Sequence, residues 1–325
     1  MLISADEQKL LDQAADWSEY VTLDQLTAGA LQCIAAERGL DFATALLYDR
    51  LLKSDGTTRR VLSPRMDGEE PAEIRPAKLP SLVAVVPGAF YVESPGSGAG
   101  GGDILQECRR LGAPSCLIPT RSFGSLDENA EIIRGWLERQ AMPGTILVSL
   151  SKGGADVKWA LQHPAAESAF RNVGAWINIS GITEGTPLVS WLLRRRFRSV
   201  LVRSLFRWRN YDFGVLPQLD YGEVHPLSCP WSIPPGLSVM HVLGFPLRKH
   251  LTCGLARRGH RRLAGHGPND GAGIVLYDAV CRPGTIYPVW GVDHYLRNGS
   301  INLAGIFRSA LAWIAQPRRQ CGFGG

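Results

Sequence analysis

The stretch Thr145-Ile-Leu-Val-Ser-Leu-Ser-Lys-Gly-Gly-Ala155 decides the reading of this chain. Thr145 to Leu150 is a short, mostly apolar run, and it passes without a polar loop into Ser151, Lys152, Gly153 and Gly154 and then a helical pattern from Ala155 to Gln162. A run of this length that is apolar on both faces suits a strand inside a parallel sheet, because helices cover such a sheet on either side. A serine at a tight strand-to-helix turn needs very small residues two positions before and after it, since the backbone is strained and neighbouring chains approach closely. Gly153 meets that need, and Ser149 stands where the usual pattern has its first glycine. Ser149 as the turn serine would be flanked at the same spacing by Leu147 and Ser151, a poorer fit.

Working outward, the same rhythm of short β-rich runs alternating with helix-length segments extends over most of the chain. Strands are predicted at Leu82–Val86, Ser115–Pro119, Thr145–Leu150, Ala175–Ile179, Leu237–Phe245 and Thr285–Trp290. This is an α/β pattern, a mostly parallel sheet with helices on both faces. Ser125 and Glu128 have capping-box spacing ahead of Ile132, Ile133, Trp136 and Leu137, which marks one of the covering helices, and Leu303 to Ile314 forms a closing amphipathic one. No internal repeat is present, and Gly96 to Gly102 reads as a flexible loop.

Ahead of the sheet, residues 1–53 read as a helical segment of three short helices. Ser4 with Glu7 and Thr22 with Gln25 have capping-box spacing, and Gly39 with Asp41 restarts a third helix that ends near Lys53. Residues 54–80 turn polar and carry Pro64, Pro71, Pro76 and Pro80, which predicts a linker. The expected organisation is therefore a helical segment, a linker, and an α/β domain over 81–318 with an insertion at about 182–236.

Composition narrows the function classes. With 325 residues, 45% hydrophobic and 20% charged, the chain is ordinary globular material. Seven scattered cysteines without a CxxC pair suggest neither a zinc site nor a disulfide framework. The start, MLISADEQKLLDQ, lacks a basic region followed by an apolar one, and no stretch reaches the length of a membrane span, so a cytoplasmic location is the expectation. The net charge of +5 is local: seven arginines and no acid lie between Leu192 and Arg209.

Three segments around Ser151 carry complementary chemistry. The run Leu82–Val86 ends in Pro87, Gly88, Ala89, Phe90, where a glycine turn can present backbone N–H groups to a developing oxyanion together with the N–H of Lys152. Asn269, Asp270, Gly271 lie between the last two predicted strands, where a carboxylate can orient an imidazole. His294 follows the last strand, and Asp293 beside it is less suited as its partner because adjacent loop side chains seldom face each other. Asp278 falls in a helical stretch, while His241, His250, His260 and His266 precede the acid.

From about Leu82 to Gln316 the chain resembles the α/β-hydrolase superfamily, in particular its lipase-like members with an Asn-Asp-Gly acid loop and a Ser-x-Gly-Gly turn. The resemblance implies an α/β-hydrolase fold and a serine hydrolase in which Ser151 attacks, His294 is general base and then acid, and Asp270 fixes its tautomer. It implies that Ala89 or Phe90 and Lys152 donate to the oxyanion, with no metal or organic cofactor. The expected substrate is a small-molecule ester, thioester or lipid with an apolar acyl group. Acyl transfer on the same triad, and a non-catalytic hydrolase-fold binding protein, are the alternatives. The long excursion from Phe245 to Asp270, with its many basic residues between Arg248 and His266, has no place in this scheme.

The insertion occupies the position of a cap or lid in that superfamily. Its centre mixes Leu192, Phe197, Leu201, Leu205 and Trp208 with the seven arginines Arg194 to Arg209, which predicts either contact with an anionic membrane surface or a plain structural cap. Nucleic acid is not an expected partner, since no stacking or groove-reading module accompanies the charge.

Overall fold

In the computed structural model, which describes residues 3–54, 60–61, 79–209, 211–222, 225–299 and 301–315, seven strands form one sheet in which every neighbouring pair is parallel. The chain opens with helices α1 (Ala5–Ala15), α2 (Ala28–Arg38) and α3 (Leu40–Leu52). An edge strand β1 (Arg60–Val61) precedes β2 (Val83–Val86), α4 (Gly102–Leu111), β3 (Ser115–Leu117), α5 (Leu126–Gln140) and β4 (Thr145–Leu150). Then come α6 (Lys152–Ala160), α7 (Ala166–Phe170) and β5 (Val173–Ile179). The insertion supplies α8 (Pro187–Leu193), α9 (Arg196–Trp208) and α10 (Val215–Gln218) before β6 (Ser238–Phe245). Finally, α11 (Gly254–Leu263) and α12 (Leu276–Val280) precede β7 (Thr285–Trp290), and α13 (Leu303–Ile314) closes the fold. Across the sheet the order is β1-β7-β6-β5-β4-β2-β3, which puts β4 and its following turn in the interior.

Side-chain alternation explains the layers. Along β4, Ile146, Val148 and Leu150 point to the face covered by α4 and α13, while Leu147 points to the face covered by α5, α6 and α7. Burying each such side chain contributes roughly 1.5–3 kcal/mol, which is why the central strands read as apolar on both faces. Residues Leu243 and Phe245 of β6 and Ile286 and Trp290 of β7 continue the second face, and there α1 to α3 cover them with Leu31, Leu46, Leu47, Tyr48 and Leu51. The first fifty residues thus contribute part of the wall around the sheet.

Local signals hold with one displacement. Ser125 Oγ accepts the Glu128 N–H at 3.1 Å at the start of α5, and Ser4 Oγ accepts the Glu7 N–H at 3.4 Å at the start of α1. The Thr22–Gln25 pair, however, closes a 3-10 turn at Leu23–Gln25, after which Leu26 is extended. Helix α2 starts instead from Thr27, whose Oγ1 accepts the Ala30 N–H at 3.1 Å. Of the stretch 54–80, Arg60 and Val61 pair with Thr285 and Ile286, whereas 55–59 and 62–78, with Pro64, Pro71 and Pro76, lie outside the described residues.

Candidate active site

Ser151 follows β4 directly and has φ 49° and ψ −115°, a conformation that a residue with a Cβ adopts only when its surroundings force it. Such strain costs on the order of 1–3 kcal/mol and concentrates at functional sites. Three backbone bonds impose it: the Ser151 N–H donates to Ile179 O at 3.1 Å, and the Ser151 carbonyl accepts from Gly154 at 3.0 Å and Ile182 at 2.9 Å. Gly153 is required, because a Cβ there would stand 2.6 Å from Pro87 O and 2.7 Å from Val86 O.

Ser149 replaces the other small residue at a definite gain. It is fully buried, accepts from Trp176 Nε1 at 2.8 Å and donates to Asn178 Oδ1 at 2.9 Å. Asn178 Nδ2 reaches His241 Nδ1 at 3.1 Å, and His241 Nε2 reaches Pro283 O at 3.1 Å. A neutral His241 with its proton on Nε2 satisfies both contacts, and burial, reinforced by the charge of Arg282, pushes its pKa down to about 3. A chain of polar groups therefore crosses from β4 to β6 beneath the turn.

The structure brings the three residues singled out around this turn into one line. His294 Nε2 lies 3.0 Å from Ser151 Oγ, and His294 Nδ1 lies 2.5 Å from Asp270 Oδ2. The other carboxylate oxygen, Asp270 Oδ1, accepts the N–H groups of Ala272, Gly273 and Ile274 at 3.0, 3.0 and 2.9 Å. The Asp270 carbonyl accepts the His294 N–H at 2.8 Å, so the acid and base loops are joined through their backbones as well. Burial pushes the Asp270 carboxyl up, but the imidazole of His294 and the backbone N–H donors more than reverse this and hold it below the usual range. Burial likewise pushes His294 down, and the charges of Asp270 and Asp293 raise it above its ordinary value.

The excursion from Phe245 to Asp270 acquires a place here. Helix α11 backs the acid loop so closely that a Cβ on Gly259 would stand 2.1 Å from Gly271 O. Asn269 Nδ2 donates to His260 O and Gly267 O, and Asn269 Oδ1 accepts the Gly271 N–H. Neighbouring Asp293 points away from His294, accepting from Thr252 N at 2.8 Å and Thr252 Oγ1 at 2.7 Å, and so ties the base loop to the start of the same excursion. Asp278 accepts from Tyr221 OH at 2.7 Å. Neither the contact of α11 with the acid loop nor the role of Asp293 was readable from local sequence.

The loop after β2 runs beside the serine: a Cβ on Gly88 would lie 3.2 Å from Ser151 Cβ and 3.0 Å from Leu150 O. Among the described residues, the N–H groups of Ala89 and Phe90 have no hydrogen-bond partner, and Phe90 has φ 65°. Lys152 is the first residue of α6, so its N–H has no intrahelical acceptor. Its side chain turns the other way, into a buried ion pair with Asp156 at 2.8 Å, to which Asn129 Nδ2 adds a hydrogen bond at 3.0 Å.

The cap contributes an aromatic wall. Phe123 stacks on Tyr211 at 4.5 Å between centroids and meets Phe90 and Phe206 edge-on at 4.7 and 5.1 Å. Val189, Leu216 and Leu219 of the insertion complete this cluster. Of the remaining histidines, His241 serves the chain under the turn, His250 contacts Glu7 Oε1 at 3.1 Å, and His260 lies buried in α11. Among the described residues no helix is long and apolar enough to cross a membrane.

No protein-family model matches the chain, and no curated protein matches it. Among solved structures it is similar to a metagenomic carboxyl esterase, at 20% identity and a TM-score of 0.53, with 89% of this chain and 88% of that one covered. It is also similar to a Bacillus licheniformis lipase, in its propeptide form at 19% identity and TM-score 0.50 (67% of this chain, 46% of that one). The mature form of that lipase gives 18% identity and TM-score 0.48 (73% and 89%). The parallel sheet, its strand order and the likenesses to the carboxyl esterase and to the propeptide form of the lipase establish the fold as that of the α/β-hydrolases.

Proposed function

We propose that the protein is a serine hydrolase that cleaves an ester or thioester of an apolar acyl group through an acyl-enzyme on Ser151. The observation that carries this reading is the unbroken line from Ser151 Oγ through the His294 ring to Asp270, built on a serine held at positive φ. Catalysis of this kind needs a nucleophile, a base in reach of its proton and a third group that orients the base.

The steps follow from the atoms. Ser151 Oγ forms a bond to the acyl carbon as its proton passes to His294 Nε2, and the carbonyl π electrons move onto oxygen. The N–H of Lys152 and that of Ala89 or Phe90 receive the oxyanion, a role worth roughly 3 kcal/mol or more per donor in comparable sites. Collapse breaks the bond to the leaving group, which takes the proton from His294. Water then gives a proton to His294 and attacks the acyl carbon, and release of the acid returns that proton to Ser151. Asp270 stays ionised throughout and stabilises the imidazolium. Phe90, exposed and packed on Phe123, offers apolar surface in the loop that also carries an oxyanion donor, which favours an acyl chain over a charged acid.

The test is intact-mass spectrometry of wild type and Ser151→Ala after treatment with a fluorophosphonate. One adduct on wild type and none on the variant is the expected result. No adduct on wild type overturns the reading in favour of a non-catalytic hydrolase fold.

A further inference from the structure

Helix α9 carries apolar side chains on two sides. Phe206 is buried in the cap against Phe123, as an ordinary surface helix would have it. On the opposite side, Phe197, Leu201, Leu205 and Trp208 follow one another at intervals of four, four and three residues, and their exposures are 75, 54, 51 and 74%. Val200, between the first two on the same side, is 61% exposed. A stripe of this kind is rare on a surface that meets only water, since each large side chain left exposed forfeits the gain of burial.

The charges frame the stripe. At 3.6 residues per turn, Arg196, Arg203 and Arg207 fall along one edge of it and Arg198 and Arg209 along the other. Among the described residues, none of the seven arginines between Leu192 and Arg209 pairs with a carboxylate. Arg198 of α9 and Arg262 of α11 lie with their guanidinium groups over the ring of the same Trp191, at 3.9 and 3.7 Å. Two cations on one indole with no acid to neutralise them leave a concentrated positive field.

We infer that α9 is a docking surface for an anionic lipid bilayer, with its apolar stripe in the acyl boundary and its flanking arginines on the headgroup phosphates. An interfacial helix needs this combination of an outward apolar face and basic edges, and Trp208 is of the type that settles at the headgroup level. Charge complementarity selects the bilayer over a second copy of the chain, because an α9-to-α9 contact would bring two sets of unpaired arginines together. The surface is also coupled to the site: Phe206 on the inner side of α9 reaches Phe90 through Phe123, and Phe90 and Val92 of the loop after β2 are themselves 54 and 62% exposed. The inference goes beyond ester cleavage and stands whether or not Ser151 is catalytic.

The experiment is vesicle co-sedimentation at physiological salt, with vesicles of phosphatidylcholine alone and of phosphatidylcholine with phosphatidylglycerol. The proteins are wild type, Ser151→Ala, the outer-face variant Phe197→Ser/Leu201→Ser/Trp208→Ser and the edge variant Arg196→Gln/Arg203→Gln/Arg207→Gln. Wild type and Ser151→Ala are expected to partition at least tenfold more onto the anionic vesicles, since each basic residue near such a surface adds to the attraction. Both triple variants should lose at least tenfold while keeping wild-type fluorophosphonate labelling, since every altered side chain is exposed and outside the site. Equal binding to both vesicle types, or variants that bind like wild type, overturns the inference. So does a wild type that is dimeric by light scattering and becomes monomeric in the outer-face variant, which would assign the stripe to a second copy.

Discussion

Gly259 in α11 and Gly271 in the acid loop touch backbone to backbone, at a distance where a single added Cβ would come within 2.1 Å of a carbonyl oxygen. Gly271 is the residue after Asp270, so whatever moves this contact moves the carboxylate that holds His294. Gly259→Ala must displace either the helix or the loop, and displacement of a catalytic group by about 1 Å costs on the order of a hundredfold in rate. The expected outcome is a fluorophosphonate labelling rate lowered by one to two orders of magnitude with circular dichroism unchanged. Labelling at the wild-type rate would mean that α11 does not position the acid.

The pH dependence follows from the two shifted groups. In the proposed mechanism His294 must be neutral to accept the serine proton, and its pKa is raised above 6.5, so activity should rise with pH and the acid limb of kcat/KM should have its midpoint above 6.5. Stability runs differently. The raised His294 contributes stability that is full below 6.5 and lost as pH rises through its folded value, while the lowered Asp270 contributes above 3.8 and loses it as pH falls. The pair therefore stabilises most between 3.8 and 6.5, below the pH at which it is most active. Asp270→Asn should lower turnover by roughly 10⁴ through the wrong tautomer. It should also lower the acid-limb midpoint and weaken the fall of the denaturation midpoint on either side of that window, below 3.8 and above 6.5.

Ser149 gives a prediction opposite to what its position suggests. Changing it to the usual glycine would leave Trp176 Nε1 and Asn178 Oδ1 without their partner in a fully buried place. A buried group left unsatisfied costs about 1–3 kcal/mol, so Ser149→Gly should lower the free energy of unfolding by at least that amount while Ser151 still labels. The linked His241 is kept neutral with its pKa pushed down to about 3, so it contributes stability above 6.5 that is lost as pH falls from there toward about 3. His241→Gln should remove this part of the acid sensitivity, measured as the slope of unfolding midpoint against pH.

How much of this was legible in the sequence depends on how local its cause is. The strand into Ser151 and Gly153 could be read because the turn imposes small residues within two positions of the serine, and Asp270 and His294 because each sits in a loop just after or between marked strands. Both-face apolar runs gave the parallel sheet for the same local reason. The partners of Ser149 come from β5 and β6, and nothing in the residues around Ser149 announces them. The basic run from Arg248 to His266 holds α11, which meets the acid loop through one glycine facing another, a contact that charge patterning does not encode. Thr22 and Gln25 satisfied each other in a turn, so a true capping pair pointed to the wrong start of α2.

The same limit applies to α1, whose periodicity shows an apolar face but not what it meets. Glu7 fixes the answer. Its carboxylate, almost fully buried, receives Lys249 Nζ at 2.6 Å, His250 Nε2 at 3.1 Å and Trp290 Nε1 at 3.2 Å. Burial pushes this carboxyl up, and the three donors together bring it down to about 2. Trp290 ends β7, four residues before His294, so α1 is pinned to the strand that carries the base loop. The contribution of Glu7 is present above 4.5 and lost as pH falls toward about 2. Glu7→Gln keeps the shape and loses the charge; with hydrogen bonds to charged groups worth about 1.5–3 kcal/mol, it should lower unfolding free energy at neutral pH by an amount of that order. Labelling of Ser151 per folded molecule should stay at the wild-type rate. Removal of 1–53 is a harsher change, since it uncovers Leu243, Phe245, Ile286 and Trp290 together, and the truncated chain should aggregate. A truncated chain that stays soluble, unfolds cooperatively and labels normally would show that these helices are an accessory to the sheet and not part of its wall.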